Sequence, residues 1–249
     1  EAEMKHTAHH DALTGLANRV LFQDCLRQAM NEADEKGEAV AVLCLDLDRF
    51  KEVNDTFGHP AGDMLLRAVA QRLLTAVRVE DTVARMSGDE FAIIQPRPAA
   101  SSNPDSTEAL ATRLLDVFQE PFQLGDEVYR CGVSIGAALL PFDATNADDL
   151  LKSADIALYQ SKSEGGGAYR RFDADMSAAL EIRRGFEQDL RQAVANNEFE
   201  LHYQPLVDID TQSVFGCEAL IRWRHPVRGF VQPTDLIPIA ESTGLIVEI

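Results

Sequence analysis

The sequence predicts a sandwich of helices and strands around one central sheet, in the α/β or α+β class. Residues 39–47 form a continuous apolar run rich in Val and Leu, which is typical of a strand buried on both faces. Residues 18–36 and 60–78 have the apolar spacing of helices that bury one side. Residues 82–95 have the pattern of two short strands around a Ser-Gly turn with acidic residues at its tip.

The other elements follow from turn residues and apolar spacing. Prolines and serines indicate a loop after the hairpin, and a run of three glycines ends a later helix. In chain order these elements are a loop over 96–106, a helix to about 119, a strand over 127–140, helices over 147–163 and 174–197, strands over 199–207 and 214–223, and a helix over 233–241. Up to residue 163 the order is α-β-α-β-β-α-β-α, which favours a single sheet covered by helices.

This pattern divides the chain into four predicted segments. Residues 1–10 have the character of the end of an upstream linker helix, and residues 11–173 form the main domain. Residues 174–198 are a connector helix, and residues 199–249 begin a second domain. About 50 residues are too few for a self-sufficient domain without disulfides or a metal.

The composition is that of a soluble acidic protein. The net charge is −18 and the isoelectric point is about 4.6, which argues against binding to nucleic acids or to anionic membranes. The four cysteines lie far apart, without the spacing of a zinc or redox site. With no signal peptide and no long apolar run, we expect a cytoplasmic chain without direct membrane contact, and a membrane-tethering region upstream in a longer parent stays open.

Two acidic pairs point to a metal site. Asp46 and Asp48 end the apolar strand at the sheet edge where ligands bind in α/β proteins, and Asp89 and Glu90 follow a glycine in the hairpin turn. If the two strands are neighbours, Asp46 and Asp89 face one ion, since carboxylates together with substrate phosphates usually hold Mg²⁺. The alternative is two unrelated solvated turns, because Asp and Gly favour turns in any case.

A second pair of side chains suits recognition of a purine. Asn54 and Asp63 flank the turn around His59, and Lys51 follows the strand. The carboxylate of Asp63 accepts hydrogens from guanine, and the amide of Asn54 donates to its acceptors. The alternative is that Asn54 caps a turn and that Asp63 only decorates the first turn of a helix.

These blocks together resemble the GGDEF family of diguanylate cyclases. The resemblance covers about residues 9–173, and several motifs match in order and spacing. The matching blocks are Asp11-Ala12-Leu13-Thr14-Gly15-Leu16-Ala17-Asn18-Arg19, then residues 46–55 (DLDRFKEVND) with Phe57-Gly58-His59 and Gly62-Asp63, the signature Ser87-Gly88-Asp89-Glu90-Phe91, and residues 154–159 (ADIALY) with Lys162.

The resemblance implies a fold, an activity and a set of site residues. The fold is nucleotidyl-cyclase-like, with a mainly antiparallel central sheet flanked by helices. Two GTP molecules condense to cyclic di-GMP and pyrophosphate, with Mg²⁺ or Mn²⁺ as cofactor and a homodimer that brings two GTP molecules together. The implied residues are Asp46, Asp89 and the carbonyl of Leu47 for the metal, Asp89 and Glu90 for catalysis, Asn54, His59 and Asp63 for guanine, and Phe50, Lys51, Gly88 and Lys162 for the rest of the substrate.

An inhibitory product site is implied by Arg78-Val79-Glu80-Asp81, which lies just before the hairpin. This Arg-x-x-Asp motif binds cyclic di-GMP in the family, and an arginine can pair with a phosphate or with a guanine edge. The alternative for Arg78 and Asp81 is a surface ion pair worth under about 1 kcal/mol.

Two positions depart from the family pattern and keep a second function open. Ser87 replaces the first glycine of the signature, and Gly166 stands where the family usually has an arginine; Arg170 or Arg171 are candidates to replace that contact. We therefore weigh an active, product-inhibited cyclase against a non-catalytic GTP-binding module that controls an adjacent phosphodiesterase. A purely structural dimerisation unit is a third and less favoured alternative.

The C-terminal stretch resembles the start of an EAL phosphodiesterase, a family of β/α barrels that hydrolyses cyclic di-GMP. Tyr203-Gln204-Pro205, residues 218–223 (EALIRW) and residues 233–241 carry the resemblance, which implies a partial barrel. Glu218 would be one metal ligand and Arg222 a substrate contact. Since the family's other ligands lie on later strands, we expect no phosphodiesterase activity from this chain.

Overall fold

The computed structural model of the protein describes residues 8–97, 105–125 and 127–249. Contacts divide the chain into two compact units, Glu1–Ser177 and Ala178–Ile249. None of the described helices is both long enough and apolar enough to span a membrane.

The first unit places helices on both sides of a five-stranded sheet. Its helices are α1 (Arg19–Lys36), α2 (Phe50–Phe57), α3 (His59–Ala76), α4 (Asp105–Gln119) and α5 (Ala147–Ser163). Its strands are β1 (Ala39–Leu47), β2 (Thr82–Ser87), β3 (Glu90–Arg97), β4 (Phe122–Leu124), β5 (Glu127–Tyr129), β6 (Val133–Leu140) and β7 (Tyr169–Arg171). Helix α6 (Ala174–Asn196) follows.

The central sheet has the order β2-β3-β1-β6-β7. β1 pairs antiparallel with β3 on one side and with β6 on the other, and β6–β7 is a parallel pair. All nine residues of β1 are buried, as the apolar run predicts. The prediction of a helix-covered, mainly antiparallel sheet is therefore confirmed.

Alternate residues of β1 build the two halves of the core. Leu43 and Leu45 belong to a cluster with α3 and α4, whereas Val42 and Cys44 belong to a cluster with α1 and α5. Side chains of a strand alternate between its faces, so a strand covered on both sides must be apolar throughout. Because the core packs against both faces of β1, it fixes the position of the C-terminal end of this strand, where Asp46 and Asp48 lie.

One predicted strand was wrong, and several short elements were not predicted. The run 127–140 is two strands, because β5 pairs with β4 in a separate two-stranded sheet and β6 enters the central one. The break lies beside Gly132, whose carbonyl accepts a hydrogen bond from the backbone of Asp48. Among the unpredicted elements are α2, β4, β7 and β10, the last in the second unit. The predicted loop over 96–106 mostly lies outside the described residues, with β3 ending at Arg97 and α4 beginning at Asp105.

The second unit contains a three-stranded antiparallel sheet of β8 (Phe199–Val207), β9 (Val214–His225) and β10 (Gly229–Val231), in the order β10-β9-β8. Helix α7 (Pro233–Thr243) follows. Trp223 is fully buried and contacts the rings of Phe186, Phe199 and His225. The partial barrel stays a prediction.

Candidate active site

The two acidic motifs meet at one edge of the central sheet. In the β1–β3 pair Asp46 lies opposite Glu90, and the backbone N–H of Leu47 donates to the carbonyl of Asp89 at 3.4 Å. The two strands are neighbours, which was the condition for a shared ion. The register therefore brings Asp46, Asp89 and Glu90 together.

Asp46 is buried, and its carboxylate is paired with a lysine that lies much later in the sequence. The side chain is 10% exposed, and the Nζ of Lys162, in the last turn of α5, lies 2.6 Å from its Oδ2. Burial raises the pKa of Asp46 to about 6; Lys162 opposes this shift, and the charges of Asp89 and Glu90 add to it. A buried carboxylate with a raised pKa and a specific charged partner is typical of functional sites.

The hairpin turn accommodates Ser87 without backbone strain. Gly88 has a positive φ of 49°, whereas Ser87 is not among the described residues with positive φ. The Oγ of Ser87 donates to the Oε2 of Glu90 at 2.6 Å. The serine thus fits the turn and gives Glu90 a hydrogen-bond donor that a glycine would lack.

Arg85 stabilises this turn by hydrogen bonds, a role that was not predicted from the sequence. Its Nε and Nη2 donate to the carbonyl of Gly88 at 3.0 and 2.8 Å, and its Nη1 donates to Asp11 at 3.0 Å. Asp11 also accepts from the backbone N–H and the Oγ1 of Thr14. Burial raises the pKa of Asp11, but the hydrogen bonds from Thr14 and Arg85 outweigh burial and bring it below its usual value. The opening motif therefore braces the hairpin, and only its match to a family block hinted at this.

The residues expected at guanine lie around the α2–α3 turn. A Cβ at Gly62 would overlap the Oδ1 of Asn54 and lie 3.2 Å from the Cζ of Phe50. The side chain of Asn54 therefore packs against α3 at Gly62, the residue before Asp63. His59, Asp63 and Lys51 are exposed, and Asn54 and Phe50 are half-buried.

The turn after Lys162 contains Gly166, with a positive φ of 76°. Arg170 is ion-paired with Glu164, and Arg171 lies 3.5 Å from Asp143. Both arginines that could replace the family's arginine are therefore engaged with acids elsewhere.

The predicted inhibitory motif is a tight turn between α3 and β2. The Oδ2 of Asp81 accepts from the backbone N–H of Arg78 at 2.9 Å, and the side chain of Arg78 is exposed. The Oδ1 of Asp81 is buried and has no hydrogen-bond partner among the described residues. Burial raises the pKa of Asp81, with the charge of Glu80 adding to the shift and Arg78 and Arg113 opposing it.

Glu218 and Arg222 of the second unit both lie on β9. Glu218 is exposed and pairs in register with Gln204, and Arg222 is half-buried and pairs with Glu200. Residues four apart on a strand share a face, so both lie on the same side of this sheet.

Comparison with known proteins follows the same division of the chain. The profile of the diguanylate cyclase GGDEF domain matches residues 8–168, and that of the EAL domain matches residues 187–249. The chain belongs to the GGDEF family. The bifunctional diguanylate cyclase/cyclic di-GMP phosphodiesterase MucR of Pseudomonas aeruginosa is 40% identical over 99% of this chain. The chain spans 36% of that relative's length.

Solved GGDEF structures share the fold. The GGDEF domain of TpbB (YfiN) from Pseudomonas aeruginosa superposes with a TM-score of 0.66 at 37% identity, covering 70% of this chain and 99% of that one. The coiled coil and GGDEF domain of DgcB from Caulobacter crescentus, solved in complex with c-di-GMP, superposes with a TM-score of 0.60 at 32% identity. That match covers 68% of this chain and 88% of the DgcB chain. The GGDEF domain thus indicates cyclic di-GMP signalling of the diguanylate cyclase type.

The residues at this edge fit the divalent metal that GGDEF cyclases use. Asp46, Asp89 and the carbonyl of Leu47 are hard oxygen donors of the kind that Mg²⁺ and Mn²⁺ prefer. The raised pKa of Asp46 reflects negative charge gathered in a poorly solvated place, which a cation would relieve. Within 8–97, 105–125 and 127–249 no group of three or more acidic, imidazole or thiol side chains is arranged to hold a metal ion, and the set that the family resemblance implies has only two carboxylates beside one carbonyl.

Proposed function

We propose that residues 11–173 form a diguanylate cyclase domain, which condenses two GTP molecules into cyclic di-GMP and pyrophosphate. The observation that supports this most is the meeting of Asp46, Asp89 and Glu90 with Lys162 at one sheet edge. Phosphoryl transfer depends mainly on positioning and on charge stabilisation, and an edge with acids for a metal and a lysine for phosphates supplies both.

Each part of the substrate has candidate residues. Asn54, Asp63 and His59 would hold guanine, and Phe50, Lys51, Gly88 and Lys162 would hold the ribose and the phosphates. The 3′-oxygen of each GTP attacks the α-phosphorus of the other, and in each attack the bond to pyrophosphate breaks, so two pyrophosphates leave as the ring closes. We assign the proton of the attacking hydroxyl to Glu90, because the carboxylates of Asp46 and Asp89 would hold the metal.

A divalent cation, Mg²⁺ or Mn²⁺, bound by Asp46, Asp89 and the carbonyl of Leu47 would neutralise charge on the phosphates and lower the pKa of the hydroxyl. Lys162 would then leave Asp46 for the triphosphate, because its ammonium group cannot make a close ion pair with the carboxylate and with the phosphates at the same time. Each domain holds one GTP, so that a homodimer, at least a transient one, is part of the proposal.

Product inhibition is proposed for the turn that contains Arg78 and Asp81. The exposed guanidinium of Arg78 suits a phosphate or a guanine edge, and the carboxylate of Asp81 would accept from guanine N–H groups. The DgcB structures with c-di-GMP show that a GGDEF relative binds this product. Arg78→Ala should leave the initial rate unchanged and abolish inhibition by added cyclic di-GMP; inhibition of the variant at wild-type product concentrations would contradict this site.

The second candidate is a GTP-binding module without turnover that regulates an adjacent EAL phosphodiesterase. One observation favours it: Gly166 removes the family's usual arginine, and Arg170 and Arg171 are tied to Glu164 and Asp143. Weaker binding of the triphosphate would then leave recognition without catalysis.

One assay separates the two functions. Protein stripped of bound nucleotide is incubated with GTP and Mg²⁺, and the products are separated by chromatography. The cyclase requires cyclic di-GMP from the wild type, none from Asp89→Asn, and normal amounts from Asp116→Asn, which changes an exposed acid on α4 in the same way. Absence of product together with tight GTP binding would instead favour the regulatory module.

A further inference from the structure

Asp48, the second acid after β1, has a different environment from Asp46. Its backbone N–H donates to the carbonyl of Gly132 at 3.0 Å, and its Oδ1 accepts from the Oγ of Ser134 at 2.7 Å. A Cβ on Gly132 would lie 2.6 Å from its Oδ2, so this oxygen lies directly against that residue. The carboxylate is thus turned towards β6 and away from a role as a free metal ligand.

Ser134 extends this contact to the turn after α5. It is fully buried in a strand that is otherwise apolar, and its Oγ accepts from the backbone N–H of Gly167 at 3.2 Å. A buried hydroxyl needs partners, and this one has an acceptor in Asp48 and a donor in Gly167. Asp48, Ser134 and Gly167 therefore form a continuous hydrogen-bond chain from β1 to the turn.

The turn depends on such contacts because its own sequence fixes little. Gly165, Gly166 and Gly167 all have positive φ, and glycine has almost no preference between the two signs of φ. Gly166 packs closely on the network, since a Cβ there would lie 2.9 Å from the Oδ1 of Asp48. The Oγ of Ser161 closes the base of the turn on the carbonyl of Ala168 at 2.6 Å.

We infer that Asp48 is a positioning residue, which acts through Ser134 on the Gly165–Gly167 turn and so sets the end of α5 that carries Lys162. The inference rests on the proposed function, in which Lys162 binds the triphosphate. This hydrogen-bond chain joins the end of β1, the strand that carries Asp46, to the turn after α5, the helix that carries Lys162, so the acid edge and the lysine keep a fixed separation. Loss of this hydrogen-bond chain would make Lys162 more mobile without altering any group that contacts GTP.

The test compares affinities for GTP and GMP, because only GTP has the phosphates that Lys162 would contact. Ser134→Ala should weaken GTP binding by about tenfold, the value of one charge-assisted hydrogen bond, and leave GMP binding unchanged. In a Lys162→Met background the same change should have no further effect, since the lysine it positions is gone. Ser153→Ala, which changes another buried serine on α5, is the matched control and should bind both nucleotides normally.

Two substitutions of Asp48 separate its hydrogen bond from its charge. Asp48→Asn keeps an oxygen that accepts from Ser134 and should bind GTP almost as the wild type, whereas Asp48→Ala should behave like Ser134→Ala. Equal damage from both substitutions would show that Asp48 acts by charge, as a metal ligand would, and would overturn the inference. Equal losses for GTP and GMP, or a further tenfold loss in the Lys162→Met background, would overturn it as well.

Hydrogen exchange measured without nucleotide tests the hydrogen-bond chain directly. It therefore separates the positioning role of Asp48 from the proposed cyclase function. Ser134→Ala should speed exchange of the amides in residues 164–168 and leave β1 protected. If the wild type shows no preference for GTP over GMP, the proposed function fails, and the exchange result alone then decides the inference. Unchanged exchange in residues 164–168 would overturn it, whatever the nucleotide does.

Discussion

Replacing Asp46 by Asn should stabilise the ligand-free protein while it abolishes the proposed activity. Burial raises the pKa of Asp46 from 3.8 to about 6, even with Lys162 beside it. One pKa unit corresponds to about 1.4 kcal/mol, so ionising Asp46 in the folded protein costs about 3 kcal/mol more than in the unfolded chain. Asn resembles the protonated acid in shape and avoids this cost.

The sign of the effect determines the pH at which it is seen. Because the folded state holds the proton more tightly, the wild type loses stability as the pH rises from about 4 to above 6. Below pH 4 the acid is protonated in both states, and the variant gains nothing. At pH 8 the gain should reach about 2–3 kcal/mol, or about 5–10 °C in Tm for a unit of this size.

Thermal unfolding with a chelator at pH 4 and at pH 8 measures this difference. Trp223 is the chain's only tryptophan and lies in the second unit, so its fluorescence identifies that unit's transition, while circular dichroism follows both units. Asp63→Asn changes an exposed aspartate and shows the effect of the substitution itself. The reasoning fails if Asp46→Asn has the same effect at both pH values, or if it destabilises the protein at pH 8.

Three further changes test the supports of the site. Gly62→Ala should push Asn54 aside and weaken GTP binding about tenfold by calorimetry, with normal circular dichroism; unchanged affinity would show that Asn54 does not contact the nucleotide. Arg85→Lys keeps the charge but loses the fork on the hairpin carbonyl, so cyclase turnover should fall more than tenfold at nearly constant KM, and a pure KM effect would refute this. Gly166→Arg, which restores the family pattern, should lower GTP affinity rather than raise it, because the new Cβ meets Asp48 in a backbone of positive φ; tighter binding would contradict the geometry.

The sequence was sufficient to predict the elements that bury an apolar face. β1 and the β2–β3 hairpin were predictable because double burial and a Ser-Gly turn leave direct traces in the residues. The short elements left no such trace. Helix α2 has only eight residues and begins after Arg49, whose φ of 59° is unusual for a residue with a side chain. β7 has three residues and exists because it pairs with β6.

Much of the candidate site could be predicted from its motifs, but not the contacts that position its residues. Asp46 lies near the end of a recognisable strand and Asp89 in a recognisable turn, and the pairing of β1 with β3 brings them together. The bond between Arg85 and Asp11 joins residues 74 positions apart, and no local pattern predicts such a pairing. The strand predicted over 127–140 was wrong for a related reason, since the break lies beside Gly132, which packs against Asp48, a residue far away in the sequence.

The candidate site stands on elements that are stabilised mainly by apolar packing. The acids stand at the end of β1, which two apolar layers hold in place, so the fold tolerates a carboxylate whose ionisation is unfavourable. Lys162, in the last turn of α5, offsets part of that cost through its ion pair with Asp46. A ligand that supplies positive charge to the acids and negative charge to the lysine would satisfy both at once, and a metal-bound nucleoside triphosphate has that distribution of charge. The unfavourable electrostatics of the ligand-free edge and the proposed preference for metal-bound GTP therefore have the same physical origin.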